Sequence, residues 1–194
     1  MPAKFKPEKE VAVYDHILKY VIPLIPKRIK PNHLTFIRLV FTPVLITWLA
    51  FEQYTISLVL FTILALTDMF DGSMARIRKQ ITDWGKIWDP IADKLLIGSV
   101  IVVLLLRVNL SLTILILSFE LAFILGGAFQ KINHSNVQIQ ANIWGKIKMN
   151  LQCFGAGFLM LGLILGSPYL MIIGQVLFYC SLLFALISLF RKGI

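Results

Sequence analysis

The sequence predicts an all-α integral membrane protein, with six transmembrane helices in one bundle preceded by an interfacial amphipathic helix. Three observations carry this expectation: the apolar composition, the spacing of the apolar stretches, and the one-sided placement of basic residues. Of 194 residues, 58% are hydrophobic and 15% charged, and the mean hydropathy is +0.80; soluble domains sit near about 45–50% apolar and ~25% charged. Apolar stretches occupy residues 34–50, 57–69, 91–106, 110–129, 147–166 and 168–190. Most approach the roughly 20 residues that cross a bilayer as helix. The second and third are shorter, but each runs into a polar segment able to extend the same helix beyond the hydrocarbon.

A net charge of +9 does not here point to nucleic acid, because basic residues flank membrane spans for topological reasons. With the N-terminus inside, the inner segments hold Lys4, Lys6, Lys9, Lys27, Arg28 and Lys30, then Arg76, Arg78, Lys79 and Lys86, then Lys131, Lys146 and Lys148, and finally Arg191 and Lys192. Arg107 alone falls outside. The expected protein is multi-pass in the cytoplasmic membrane, with both termini and the polar segments 77–89 and 131–145 on the cytoplasmic side. The external turns are short, so function is expected on that inner face.

Residues 1–30 form the expected N-terminal cytoplasmic and interfacial segment, and 31–194 the six-helix membrane domain. Within the former, Val13, Ile17, Leu18, Val21 and Ile22 alternate with Asp15 and Lys19 in a pattern suited to a helix lying on the membrane, kinked by Pro23 and Pro26. No internal repeat supports an inverted-repeat transporter. Cys153 and Cys180 lie in apolar stretches and read as packing residues, without zinc or disulfide spacing.

Chemistry is concentrated where the second and third stretches meet. Asp68 and Asp71 are i,i+3 neighbours on a helix, Asp89 and Asp93 are i,i+4 neighbours, and Gly72 and Ala75 share the face of the first pair. An Asp in a transmembrane helix costs roughly 2.5–3.5 kcal/mol on insertion scales, and four together repel. They need a compensating cation. No His or Cys cluster argues for zinc; carboxylates suit hard ions, and four of them suit two ions clamping a phosphoryl displacement. Asp89 before Pro90 also fits a helix cap. An ion-coupled transporter is the non-enzymatic alternative, but its ionisable groups would spread through the membrane rather than cluster at one end.

The segment from Asp68 to Asp93 matches D-x2-D-G-x2-A-R-x8-G-x3-D-x3-D at every specified position, and so resembles the CDP-alcohol phosphotransferase family. The opening Pro31-Asn32-x-Leu34-Thr35-x2-Arg38 resembles that family's PN-x-LT-x2-R. The resemblance implies that Asp68, Asp71, Asp89 and Asp93 hold two divalent cations, Mg²⁺ or Mn²⁺, with Asp93 the catalytic base for the acceptor hydroxyl. It further implies that Gly72, Ala75, Arg76 and Gly85 bind the CDP moiety, that the donor is CDP-diacylglycerol, that CMP leaves, and that the chain forms a homodimer among membrane lipids.

Gly85-Lys86-x2-Asp89-Pro90-x-Ala92-Asp93-Lys94-Leu95-Leu96 and Gly145-Lys146-Ile147-Lys148 resemble the wording of phosphatidylglycerophosphate synthases. This implies glycerol 3-phosphate as the small alcohol, bound by Lys146 and Lys148, with Lys131 a further inner cation able to join them. Where such synthases usually carry fourth-span arginines, this chain has Phe119-Glu120 and Gly126-Gly127. Serine, inositol phosphate and phosphatidylglycerol therefore remain alternative acceptors.

Overall fold

The structure, a computed structural model, describes residues 18–20, 22, 26, 30–78, 80, 82–133 and 143–191. Among these residues there is no strand. Six long helices follow one another: α1 (Pro31–Ala50), α2 (Tyr54–Ile77), α3 (Asp83–Val108), α4 (Leu110–Asn133), α5 (Ile143–Leu165) and α6 (Pro168–Arg191). The second and third apolar stretches do continue as helix into their polar flanks, as expected.

Four segments are long and apolar enough to cross a membrane: α1, α2, α5 and Pro168–Ser188 of α6. In α3 the charges of Asp93, Lys94 and Arg107 leave only residues 95–106 as an uncharged stretch. In α4 the apolar part described with its side chains is Leu110–Ala122. Large apolar side chains such as Phe36, Ile63, Leu121 and Ile172 are more than half or nearly half exposed all around the helices. That outward apolarity belongs to a membrane protein, whose exterior faces lipid.

The apolar core joins Leu45 and Leu49 of α1, Phe61 and Leu64 of α2, Leu96, Val100 and Leu104 of α3, Leu159 and Met160 of α5, and Phe178 of α6. α1 lies against α2 and α3, α5 against α2, α3 and α6, and α4 against α3 and α6. The most extensive contact is between α5 and α6. It depends on missing side chains: a Cβ at Gly174 would stand 2.9 Å from the Gly155 carbonyl oxygen and 3.0 Å from the Leu159 nitrogen, and one at Gly162 would stand 2.9 Å from the Met171 nitrogen. Small residues that let helix backbones approach are the usual means of packing where lipid supplies no hydrophobic drive.

At the end of the bundle away from the acidic motif, Arg107 pairs with Glu52 in the α1–α2 turn and donates to the Ala50 carbonyl at 2.5 Å. Asn109 accepts from the Leu112 amide at 3.1 Å, starting α4, and its amide donates to Gln175 of α6 at 3.0 Å. At the other end, Leu18 and Ile22 are buried against Met74, and Arg78 donates to the Ile22 carbonyl at 2.9 Å. Most of the expected interfacial helix over 11–29 lies outside the described residues.

Gly174→Ala should therefore destabilise the α5–α6 pair by about 1–3 kcal/mol, the usual cost of overpacking. Gly157→Ala, whose Cβ would meet nothing within 4 Å, should be neutral. Thermal unfolding of both variants in detergent micelles checks this, with equal midpoints contradicting the close packing.

Candidate active site

The site is built on one face of α1. Pro31, Thr35, Arg38, Thr42, Leu45 and Leu49 are its buried residues, spaced four and three apart as a single helical stripe demands. The apolar half of the stripe enters the core. The polar half, with Asn32 beside it, meets the acidic ends of α2 and α3. Thr42 returns its hydroxyl to the Arg38 carbonyl at 2.7 Å, so it adds no unsatisfied group.

Arg38 is the centre of that polar half. Its side chain is fully buried; one guanidinium nitrogen donates to Asp68 Oδ1 at 2.6 Å and Asp93 Oδ1 at 2.5 Å, and the other pairs with Asp71. Thr35, one turn earlier, donates to Asp89 Oδ1 at 2.6 Å, with Asp71 Oδ2 at 3.4 Å. The two carboxylate pairs thus converge from two helices upon residues of a third. Asp71 is the most deeply buried of them, at 2% exposure, whereas Asp68 keeps 46%.

Asp89 is not a helix cap. The chain enters α3 six residues earlier, where Thr82 accepts from the Gly85 amide at 3.0 Å and donates to Asn32 Oδ1 at 2.9 Å. Pro90 is inside the helix, and Asp89 turns to Thr35 instead. A Cβ on Gly85 would stand 3.2 Å from Asp89 Oδ2 and from Thr82 Oγ1, so this glycine leaves room for the two side chains of α3's first turns that bond to α1. Gly72 does something similar: its missing side chain leaves room for the Arg76 guanidinium, 3.2 Å from where a Cβ would be. Arg76 also reaches Ser73 Oγ at 3.3 Å. Gly72 is therefore roofed by Arg76, while Ala75 lies half-buried beside it.

Arg38, Asp68 and Asp93 border a cavity of about 510 Å³ between α1, α2, α3 and α5, whose remaining wall is largely apolar, with Phe61, Phe158 and Leu161. Hard oxygen donors are the ligands Mg²⁺ and Mn²⁺ take. A single guanidinium already bridges three of the four carboxylates, so the donor set fits a shared cationic partner. As they stand, these side chains surround Arg38: among the described residues no group of three or more His, Cys, Asp or Glu is gathered closely enough to hold an ion.

Three residues of this constellation, Asn32, Thr35 and Arg38, carried no assigned role in the sequence. The available signal was an arginine inside an apolar stretch, in step with a threonine and an asparagine at intervals of three.

The basic residues expected at the acceptor divide. Lys146 is exposed near the start of α5. Lys148 is buried and pairs with Glu120 of α4 at 2.5 Å, while Gln152 donates to the same Glu120 oxygen at 3.3 Å. This cluster, with Lys94 and Ser99, borders a second cavity of about 490 Å³ between α3, α4 and α5. Ile97 and Met149 line both cavities, so they separate Lys148 from Asp93. The side chain of Lys131 lies outside the described residues.

Lys148→Met should leave Glu120 uncompensated. The expected loss is about 2 kcal/mol, less than the 3–5 kcal/mol of a fully buried pair, because the Glu120 side chain keeps 30% exposure. Adding Glu120→Leu should recover most of it. A fall in the thermal midpoint for the single variant and a recovery for the double one would bear this out; additive losses would contradict it.

The family model for CDP-alcohol phosphatidyltransferase matches residues 28–187. A CDP-diacylglycerol--glycerol-3-phosphate 3-phosphatidyltransferase of Rickettsia felis is 34% identical over 164 residues, covering 81% of this chain and 90% of that protein. The protein of the same name from Aquifex aeolicus is 32% identical over 165 residues, covering 81% and 90%. A probable phosphatidylglycerophosphate synthase of Mycobacterium tuberculosis is 38% identical over 98 residues, 46% of this chain and 47% of that one. The match spans the α1 stripe and both carboxylate pairs, and the chain belongs to the CDP-alcohol phosphatidyltransferase family of enzymes that transfer phosphatidyl groups.

Proposed function

We propose that this enzyme transfers the phosphatidyl group of CDP-diacylglycerol to glycerol 3-phosphate, giving phosphatidylglycerophosphate and CMP. The observation that carries the reading is the convergence of Asp68, Asp71, Asp89 and Asp93 from α2 and α3 beside an apolar cavity. A polar reaction centre adjoining an apolar wall suits a donor that is half nucleotide and half lipid. The acceptor is chosen because relatives covering most of the chain bear the glycerol-3-phosphate name.

An acceptor hydroxyl attacks the phosphorus that bears diacylglycerol; a new P–O bond forms, the P–O bond to CMP breaks, and the hydroxyl proton passes to Asp93. Asp93 suits this role because it borders the cavity rather than the bundle exterior. Asp68, Asp71, Asp89 and Asp93 would hold two divalent cations, Mg²⁺ or Mn²⁺, which when bound supply charge neutralisation at the diphosphate. Gly72, Ala75, Arg76 and Gly85 form the CDP side of the site, with the Arg76 guanidinium as its fixed cation. Lys146, with Lys131, serves the acceptor phosphate, whereas Lys148, expected there too, is held by Glu120 beside the second cavity.

The same reading takes all six helices as membrane spans of one domain over 31–194, in the cytoplasmic membrane, with both termini and the carboxylates inside. The excess of lysine and arginine at that end supports it. A homodimer is part of the proposal.

Purified protein in micelles should release CMP from CDP-diacylglycerol only with glycerol 3-phosphate and a divalent cation; full activity in excess chelator, or on an uncharged alcohol alone, would refute the reading. Asp93→Asn should lower kcat at least ~10²-fold, the low end for a lost general base, with donor binding retained. Lys146→Ala should raise KM for glycerol 3-phosphate about tenfold while leaving that for the donor near its original value, since one charge-assisted bond serves one substrate. Equal shifts in both KM values would contradict an acceptor role.

A further inference from the structure

We propose that Arg38 is the resident counter-cation of the carboxylate cluster: it keeps Asp68, Asp71 and Asp93 gathered before any divalent cation binds, and divalent cations enter by displacing its guanidinium from them. The inference rests on the reading that these carboxylates are the cation ligands, and it makes Arg38 a positioning residue.

The geometry argues for competition rather than coexistence. A carboxylate oxygen directed at a guanidinium 2.5–2.6 Å away, as in Asp93 and Asp68, is not directed at another cation. No three acidic groups among the described residues are gathered around a point an ion could fill; they are gathered around Arg38. Loading must therefore turn these side chains away from it. Arg38 has room to yield, because it borders the 510 Å³ cavity along with Asp68 and Asp93. It also holds a donor in reserve: its Nε is buried without a hydrogen-bond partner, an expense a buried group bears only when some acceptor completes it. A displaced guanidinium can present that edge to an anion in the cavity.

Charge supports the same arrangement. Four carboxylates and one guanidinium leave three negative charges in excess, which favours two divalent cations. Two such cations turn the site into one positive charge in excess, complementary to an anionic diphosphate. Without Arg38 the loaded site would be neutral. Burial of the unloaded cluster without Arg38 would instead leave four carboxylates crowded and uncompensated.

The test is titration of Mn²⁺ alone, followed through the electron paramagnetic resonance of the free ion, on the purified protein without substrate. Arg38→Met should lower the Mn²⁺ Kd about tenfold or more, the equivalent of removing one competing charge-assisted contact. It should also lower the thermal midpoint of the metal-free protein. Arg38→Lys keeps the charge on a compact ammonium that cannot span three carboxylates as a guanidinium does, so its Kd should fall between the two. A merely structural arginine would lose stability on replacement without gaining metal affinity. If Arg38→Met cannot be purified, Arg38→Lys decides alone: a Kd below wild type supports displacement, and one equal or higher overturns it. Binding of equal affinity in all proteins would remove the role of Arg38 only. No Mn²⁺ binding to the wild type would overturn the cation-ligand reading and this inference with it.

Discussion

Everything at the acidic end of the bundle is arranged around one buried guanidinium. Arg38 is fully buried and holds carboxylates from both α2 and α3, so neither the charge nor the helices carrying it can be placed independently. A buried arginine with one partner would cost more than it returns; with three partners and a hydroxyl-bonded fourth carboxylate nearby, desolvation is offset by contacts in a region of low dielectric. The position of α1 is fixed by the same requirement. Its lower stripe must meet the acidic motif while Leu45 and Leu49 reach the apolar core.

The glycines follow from that constraint. Gly85 leaves room for Asp89 and Thr82, whose side chains bond Thr35 and Asn32 of α1 and so set Asp89 and Asp93 opposite Thr35 and Arg38. Gly72 lets the Arg76 guanidinium fold back against its own helix, where it reaches Ser73. Local residues thus tune a site whose ligands come from elements far apart in the chain. The opposite end of the bundle is tied by a different set, Arg107, Glu52 and Asn109, which bind turns rather than substrates.

Much of this was legible in the sequence because it depends on local pattern. Apolar runs and the short breaks near 52, 109 and 166 gave the helices, and the helical spacing of Asp68 with Asp71 and of Asp89 with Asp93 gave two carboxylate pairs. What local pattern could not give was which cation faces them. Arg38 lies 33 residues from Asp71 and 55 from Asp93, and only packing of α1 brings them together. The same limit explains Asp89: Asp89-Pro90 reads locally as a cap, but a stronger cap at Thr82 and a partner at Thr35 leave that role unused. Lys148 read as an acceptor-binding residue because its partner Glu120 is on another helix.

The central claim is that these four carboxylates, gathered by α1, are where divalent cations and the CDP group meet. Crystals grown with Mn²⁺ and CMP, measured at the manganese edge, test it most directly. The account predicts anomalous peaks within bonding distance of Asp68, Asp71, Asp89 and Asp93, with the Arg38 guanidinium no longer between them. Manganese bound elsewhere, with Arg38 still bridging Asp68, Asp71 and Asp93 beside bound CMP, would contradict it.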